Sequence, residues 1–238
     1  MIYQEHLIDV LSPDRSPRDL VVVLEKLLEA GAFSDFLYSL AENDVALRDM
    51  ATKSYRHPNG YDKLVLISPN EFPVPYELRL HHWLEEGSGS ESDIHNHGWD
   101  FASHIVFGSL NCEEFERAES GTSYRKIEYL RQNQGSFSFS EGASCDLDMT
   151  KSFILKSGET YFQPRGVLHR VSSSTKVGTC TMVLQGATES TVADNYIRPS
   201  GAAPQPKSLQ KMSMQEYRLK LLELVEKIGR VGDSKLIS

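Results

Sequence analysis

The stretch that decides the fold runs from Gly89 to Gly108 and reads GSESDIHNHGWDFASHIVFG. Two histidines in it, His95 and His97, flank a single residue. On a β-strand, side chains two positions apart share a face and lie about 7 Å apart along the backbone, so both imidazoles can reach one metal ion. On a helix they would point apart. The pair therefore predicts a metal-binding strand, which continues with Trp99, Phe101 and Ser103 on the same inward face.

A second stretch, from Gly158 to His169, reads GETYFQPRGVLH and supplies a third histidine. Pro164 and Gly166 indicate a turn, because proline presets one backbone angle and glycine adopts conformations closed to other residues. The turn lets His169 fold back toward the first pair. A lone histidine on a strand is more often a hydrogen-bonded structural residue, and this is our interpretation of His57, His81, His82 and His104. The trio instead predicts a metal site.

Together the two stretches resemble the paired motifs of the cupin superfamily, which are small β-barrels that carry a metal ion on inward-facing histidines. The resemblance implies a mostly β fold, a cupin-type β-barrel (double-stranded β-helix), here with N-terminal helices and a C-terminal helix. Two positions depart from the family pattern. Phe101 replaces the usual glutamate ligand, and Ser173 replaces the usual asparagine after the last histidine.

Two N-terminal helices, followed by a barrel whose three-histidine motif lacks the glutamate, are similar to the cysteine dioxygenase branch of the cupins. Members of that branch are thiol dioxygenases that use mononuclear non-haem iron. The similarity covers roughly residues 17 to 197 and implies an O₂-using enzyme with His95, His97 and His169 as iron ligands. In the animal enzymes, a cysteine at the vacated glutamate position is linked to a tyrosine on the last strand. Phe101 and Gln185 stand in those places here, so that cross-link cannot form and the thiol substrate is not carried over.

Three neutral imidazoles leave a bound divalent ion with two positive charges and up to three open coordination positions. This arrangement favours an anionic or metal-chelating substrate. Fe(II) is the metal we expect, because it can bind a substrate and O₂ at adjacent positions, although Ni, Mn, Cu and Zn accept the same ligands. The residues predicted to act on the substrate are Arg79, Tyr161 and Gln185, with Arg56 and Arg165 as further anchoring candidates.

The composition points to a small-molecule partner. The chain has 238 residues, a formal net charge of −8 and no segment in which Lys and Arg cluster, so we expect neither nucleic acid nor a membrane as a partner. The three cysteines are odd in number and widely spaced, which favours a reducing compartment over a disulfide framework. Without a secretory signal pattern or an apolar run approaching about 18 residues, we expect a cytoplasmic protein, either a monomer or a homodimer.

The chain is expected to form one structural domain in three parts: a helical extension (1–50), the barrel (51–200), and a linker with a C-terminal helix (201–238). Ser16 and Pro17 open the first helix, and a second helix covers Ser34 to Asp49 with Val45 among its inward residues. Residues 54–60 form a turn or loop, and residues 201–206 have the composition of a linker. The C-terminal helix is capped by Ser213 and ends at Gly229; it can pack on the barrel, which is the default expectation, or on another subunit.

Two questions stay open at this point. The strand from Tyr76 to Trp83 alternates, with Arg79, His81 and Trp83 on one face, and either face can line the cavity. The function also has alternatives to an Fe(II) oxygenase. One is a non-oxidative isomerase or lyase that uses the metal as a Lewis acid, and the other is a metabolite-binding cupin without catalysis.

Overall fold

The structure is a computed structural model that describes residues 18–29, 33–57, 59–68, 76–83, 92–131, 137–173, 175, 178–199 and 209–235. The predicted helix opening at Ser16 and Pro17 and the linker at 201–206 lie outside these ranges. The helices within them are α1 (Asp19–Glu29), α2 (Phe33–Glu42), α3 (Asp44–Lys53) and α4 (Met214–Lys235). In this described part of the chain, no helix combines the length and the apolar character needed to cross a membrane.

Antiparallel strands make up most of the described structure. They are β1 (Tyr55–Arg56), β2 (Tyr61–Ile67), β3 (Glu77–Trp83), β4 (Ile94–His95), β5 (Phe101–Phe107), β6 (Ser109–Ala118), β7 (Thr122–Arg131), β8 (Phe137–Glu141), β9 (Cys145–Lys156), β10 (Thr160–Gln163), β11 (Leu168–Ser173), β12 (Thr179–Gln185), β13 (Val192–Ile197) and β14 (Gln210–Lys211). The first sheet has the order β10-β5-β12-β3-β2-β1-β14, and the second has the order β13-β4-β11-β6-β9-β7-β8. Two facing antiparallel sheets with flanking helices confirm the predicted cupin-type barrel.

The helices cover the outer face of the first sheet. Leu24 of α1, Leu37 of α2 and Leu221 of α4 share one buried cluster with residues of β2, β3, β5 and β12. The Tyr217 hydroxyl of α4 also donates a hydrogen bond to the Val65 carbonyl at 2.6 Å. Strand β12 is buried at every position, as expected where both faces of a strand are covered. The predicted packing of the C-terminal helix on the barrel is confirmed.

Strand β3 turns one face to the helices and the other to the barrel interior. Leu80 belongs to the helix-facing cluster, whereas Trp83 belongs to a cluster with Cys112 of the second sheet. Because alternate residues of a strand share a face, Arg79 and His81 face the interior together with Trp83. The face of this strand that lines the cavity is therefore the one with Arg79, His81 and Trp83, which the sequence leaves open.

The second sheet closes on itself, since β13 pairs with both β4 and β7. The resulting ring encloses a small apolar cluster that consists of Ile94, Phe115, Tyr124, Leu147, Leu168 and Tyr196. Ile94 and Leu168 directly precede His95 and His169. Because successive side chains point to opposite faces, burying the first two inside the ring directs both histidines toward the first sheet.

Three predicted boundaries are wrong. The single helix expected from Ser34 to Asp49 is two helices that meet at Asn43, whose side chain accepts hydrogen bonds from the backbone N–H groups of Val45 and Ala46 at 3.1 Å each. Asn43 is thus an N-cap, and Val45 is 82% exposed instead of inward. The C-terminal helix continues past Gly229. In the segment expected to be a loop at 54–60, residues 55–56 form β1 by pairing with β2 and β14.

Candidate metal centre

His95 and His169 are direct cross-strand partners on β4 and β11. The Nδ1 atom of His95 lies 2.8 Å from the Asp93 carbonyl oxygen, and the Nδ1 atom of His169 lies 3.1 Å from the Val167 carbonyl oxygen. A carbonyl can only accept, so each Nδ1 carries the hydrogen and donates it. Both rings are therefore held in the tautomer that leaves the Nε2 lone pair free for a metal ion.

His97 reaches the same place from a loop. Strand β4 ends at His95, so the prediction of one strand running through His97 is wrong. The loop is fixed by a reciprocal pair of hydrogen bonds, from the Asn96 N–H to the Asp194 carbonyl (3.1 Å) and from the Asp194 N–H to the Asn96 side chain (2.8 Å). The Gly166 N–H donates to the His97 carbonyl at 3.2 Å, which ties the second motif to the first.

Gly98 allows the backbone of this loop to pack closely against the segment that follows β12. Its carbonyl accepts hydrogen bonds from the Glu189 N–H (2.9 Å) and the Ser190 N–H (3.1 Å). A Cβ atom at position 98 would lie only 2.0 Å from the Ser190 carbonyl oxygen. The close approach of the two backbones therefore requires glycine next to His97.

The three histidines converge on one point between the sheets. Their candidate ligand nitrogens all lie within 4.8 Å of one another. The ring centroids are 4.5 Å apart for His95 and His169, 4.9 Å for His95 and His97, and 5.1 Å for His97 and His169. Among the described residues, His95, His97 and His169 form a cluster of three side chains that could hold one metal ion.

The protonation state of the trio suits a divalent cation. Burial, followed by the charge of His95, lowers the pKa of His169 to about 3. Burial also lowers the pKa of His95, and burial followed by the charges of His95 and His169 holds the pKa of His97 well below its usual value. The imidazoles are consequently neutral near pH 7, which is the form that binds metals.

The surroundings of the trio are aromatic. Phe101, at the vacated glutamate position, is 5% exposed, and its ring centroid lies 5.3 Å from that of His97 and 6.1 Å from that of His169. The Trp99 ring lies 5.0 Å from His97, and the Tyr161 ring lies 6.0 Å from Phe101. Phe101 therefore faces the interior as expected and places an apolar ring beside His97 and His169.

Asp100 and His104 take part in other contacts. The Asp100 carboxylate accepts a hydrogen bond from the Arg165 N–H at 2.7 Å, and His104 Nδ1 lies 2.9 Å from the Thr160 hydroxyl. The two flanking arginines also lie on the outside. Arg56 and Arg165 are exposed, and they pair with Asp62 and Glu189 respectively.

Arg79 and Gln185, two of the predicted substrate residues, meet on the inner face of the first sheet. The Arg79 guanidinium is 4% exposed and donates to Gln185 Oε1 at 2.6 Å, to Glu77 Oε1 at 2.8 Å and to His81 Nε2 at 3.0 Å. Lys63 also pairs with Glu77 at 2.9 Å. Burial would raise the pKa of Glu77, but Lys63 and Arg79 outweigh it and hold this pKa at about 2. Lys63 and Arg79 are both cations and Glu77 is the single anion between them, so this group of three has a net positive charge.

Tyr161, the third predicted residue, lies on β10 opposite Ser103 of β5. Burial raises the pKa of its hydroxyl, and a hydrogen bond with Ser103 opposes the shift only in part. The tyrosine is therefore a neutral O–H group at physiological pH. It lies beside Phe101, which in turn contacts the trio.

His57 and His81 lie near each other in the interior, and only His81 could be connected with the cavity from sequence. The rings of His57 and Tyr61 stack at 4.4 Å, and those of Tyr61 and His81 lie 4.5 Å apart. Burial, followed by the charges of His95, Lys63 and Arg79, lowers the pKa of His57 to about 3. The alternation of β3 places His81 beside Arg79, whereas no pattern predicts the position of His57.

Comparisons with known proteins give no close relative. No family model matches the chain, and no curated protein matches it. Similar solved structures include a cupin-2 domain protein from Shewanella frigidimarina (16% identity, 52% of this chain and 78% of that chain, TM-score 0.29) and KdgF from a Halomonas species (10%, 56% and 84%, TM-score 0.34). A third is oxalate oxidase in complex with the substrate analogue glycolate (14%, 57% and 55%, TM-score 0.37). At these values no activity is transferred to this chain.

The buried histidines predict that the metal-free protein is sensitive to acid. His82 is 2% exposed, and burial, followed by the charge of Lys227, lowers its pKa to about 4. In the unfolded state the histidine takes up a proton near pH 6.5, whereas in the folded state it does so only near pH 4. The free energy of unfolding therefore falls as the pH drops from about 6.5 to about 4, by about 1.4 kcal/mol per pH unit for each such histidine.

Denaturant unfolding of the metal-free protein at pH 7.5 and pH 5.0 tests this expectation. Between these pH values, the free energy of unfolding of the His82→Gln variant should fall by about 2 kcal/mol less than that of the wild type, because glutamine takes up no proton in the unfolded state. An identical loss in the two proteins would show that His82 is not the source of the acid sensitivity.

Proposed function

We propose that this chain is a metal-dependent cupin oxygenase, a mononuclear non-haem Fe(II) dioxygenase that acts on a small polar or anionic metabolite able to chelate the metal. His95, His97 and His169 would hold the ion. When bound, Fe(II) supplies a centre at which substrate and O₂ can react at adjacent positions. The other steps fall to residues of the chain itself.

The observation that carries the proposal is the convergence of three neutral imidazoles beside an apolar ring. The ligand nitrogens lie within 4.8 Å of one another, and Phe101 stands where a carboxylate would offset the charge of the metal. A three-histidine site leaves coordination positions for exogenous ligands, and its net positive charge favours anionic ones. These two properties distinguish it from a closed structural zinc site, which has four protein ligands.

The inner face of the first sheet would bind and orient the substrate. Arg79 is held rigid by Glu77, Gln185 and His81, so its guanidinium presents a fixed positive charge to an acidic group. The neutral hydroxyl of Tyr161 can donate a hydrogen bond to a developing negative charge. Phe101 and Trp99 exclude water from one side of the trio.

Substrate-dependent O₂ uptake tests the proposal. Protein purified without oxygen and loaded with one equivalent of Fe(II) is screened against small hydroxy-, keto-, amino- and thiol-carboxylates in an oxygen electrode. Consumption of O₂ that requires both iron and one class of substrate supports the dioxygenase. Turnover that is equally fast without O₂ would replace it with a lyase or isomerase, and tight binding without any product would replace it with a metabolite-binding cupin.

A further inference from the structure

Two buried nitrogen donors beside the trio have no hydrogen-bond partner among the described residues. They are the indole Nε1 of Trp99 and the amide Nε2 of Gln163. Gln163 is 3% exposed. A buried donor left without an acceptor costs about 1–3 kcal/mol, and such groups in native proteins usually have a reason. Two of them at one place indicate an acceptor that arrives with a ligand.

Strand pairing places Gln163 inside the barrel. Gln163 lies directly opposite Phe101 in the β10–β5 ladder, and side chains opposite each other in a ladder share a face. Phe101 contacts His97 and His169, so this face is the one that borders the trio. The intervening residue, Phe162, packs instead against the cluster under the helices. The Gln163 amide therefore lies in the layer next to the three imidazoles.

Trp99 lies alongside the same strand end. The chain after Gln163 runs beside the His97 loop, where the Arg165 N–H donates to Asp100 and the Gly166 N–H donates to the His97 carbonyl. These two bonds bracket Trp99, whose ring lies 5.0 Å from that of His97 at an angle of 30°. The Trp99 ring therefore lies next to His97, and the segment that follows Gln163 is hydrogen-bonded to the residues on either side of Gly98 and Trp99.

The chemistry of the two groups defines what they can bind. An indole N–H is a donor only, and the free amide nitrogen of Gln163 is also a donor. Both are neutral, so they match an oxygen that bears lone pairs and that already has its charge balanced by a nearby cation. An oxygen of a metal-bound carboxylate fulfils both conditions, because one oxygen ligates the metal and the other remains free to accept.

We propose that Gln163 and Trp99 form a donor pair that binds the second oxygen of a carboxylate whose first oxygen lies on the trio's metal ion. They act as positioning and specificity residues, since they select a carboxylate over a metal ligand without an acceptor oxygen. Arg79 lies on the same inner face of the first sheet, but on β3, which β5 and β12 separate from the β10 strand that carries Gln163. The inference rests on the metal site of the proposed function but not on its oxidative chemistry.

The test uses Co(II)-loaded full-length protein, whose visible spectrum reports ligands that enter the metal's coordination shell. Wild type, Gln163→Met and Trp99→Phe are each titrated with acetate and, separately, with imidazole, which ligates the metal but offers no acceptor oxygen. We expect acetate affinity to fall about tenfold in each variant, while imidazole affinity stays within twofold of the wild type. Gln163→Met keeps the length of the side chain and removes its amide, and Trp99→Phe keeps an aromatic ring and removes the indole N–H.

Equal acetate affinity in the three proteins, with intact Co(II) binding, would overturn the inference and would indicate that water alone satisfies the two donors. A parallel loss of acetate and imidazole affinity would also overturn it, since the variants would then have disturbed the metal site itself. If one variant fails to fold, the other decides the question. Failure of the proposed oxygenase shows differently, as absent O₂ uptake in a protein that still discriminates acetate from imidazole in this way.

Discussion

His169→Ala is expected to lower the affinity for Fe(II) or Co(II) by at least two orders of magnitude and to abolish metal-dependent turnover. The substitution removes one of three protein ligands, and loss of an outer-shell partner alone typically costs 10- to 100-fold. His169 is also the residue that joins the second motif to the first, through its pairing with His95. Metal content after gel filtration, followed by equilibrium titration with Co(II), measures the effect.

The matched control is His104→Ala. This residue is also a strand imidazole, but its Nδ1 lies 2.9 Å from the Thr160 hydroxyl, away from the trio. It should keep wild-type metal affinity. His169→Gln keeps the volume of the side chain, so the same loss of metal in that variant separates ligation from packing. Full retention of one metal equivalent by His169→Ala would contradict the assignment of the ligands.

Gly98→Ala is expected to disrupt both the fold around the site and metal binding. The added methyl group would lie 2.0 Å from the Ser190 carbonyl oxygen, a backbone atom that cannot rotate away. The loop that carries His97 must then shift, and overpacking of this kind costs about 2–3 kcal/mol. Because metal sites require positions accurate to about 0.5 Å, we also expect Co(II) affinity to fall at least tenfold.

Gly229→Ala provides the comparison for this variant. That glycine lies exposed within α4, and a Cβ atom there meets nothing within 4 Å. Alanine should raise the free energy of unfolding by about 0.5–1 kcal/mol and leave metal affinity unchanged. Denaturant unfolding of the two variants, together with Co(II) titration, checks both expectations. Wild-type stability and metal affinity in Gly98→Ala would show that the loop is not confined by Ser190.

The barrel was implied by the resemblance to the cupins, whereas the facing of the histidines on their strands could be predicted from short-range patterns. Ile94 precedes His95 on β4, and Leu168 precedes His169 on β11. Because successive residues face opposite sides of a strand, each strand has an apolar face and a metal-binding face. The Phe101 position is fixed by the same alternation. Predicting which face of β3 lines the interior requires knowing which of its two faces the helices cover.

The parts that could not be predicted depend on contacts between residues far apart in the chain. The loop that carries His97 is held by hydrogen bonds to Asp194 and Gly166. The residues next to His97 in sequence do not indicate that such a loop keeps this histidine close to His95 and His169. The closure of the second sheet through β13 and β7 is likewise a long-range pairing. The break at Asn43 is different, because the apolar periodicity continues across this residue and predicts one helix, whereas the Asn43 side chain caps a new one.

The central claim is that one metal ion binds at the three imidazoles without a protein carboxylate. Anomalous diffraction from crystals of the Fe(II)-loaded protein, recorded above and below the iron absorption edge, measures this most directly. We predict one peak per chain, about 2.1 Å from Nε2 of His95, His97 and His169, with its remaining ligands supplied by solvent or substrate. A loaded protein without a peak there, or with an Asp or Glu oxygen in the coordination shell, would contradict the account.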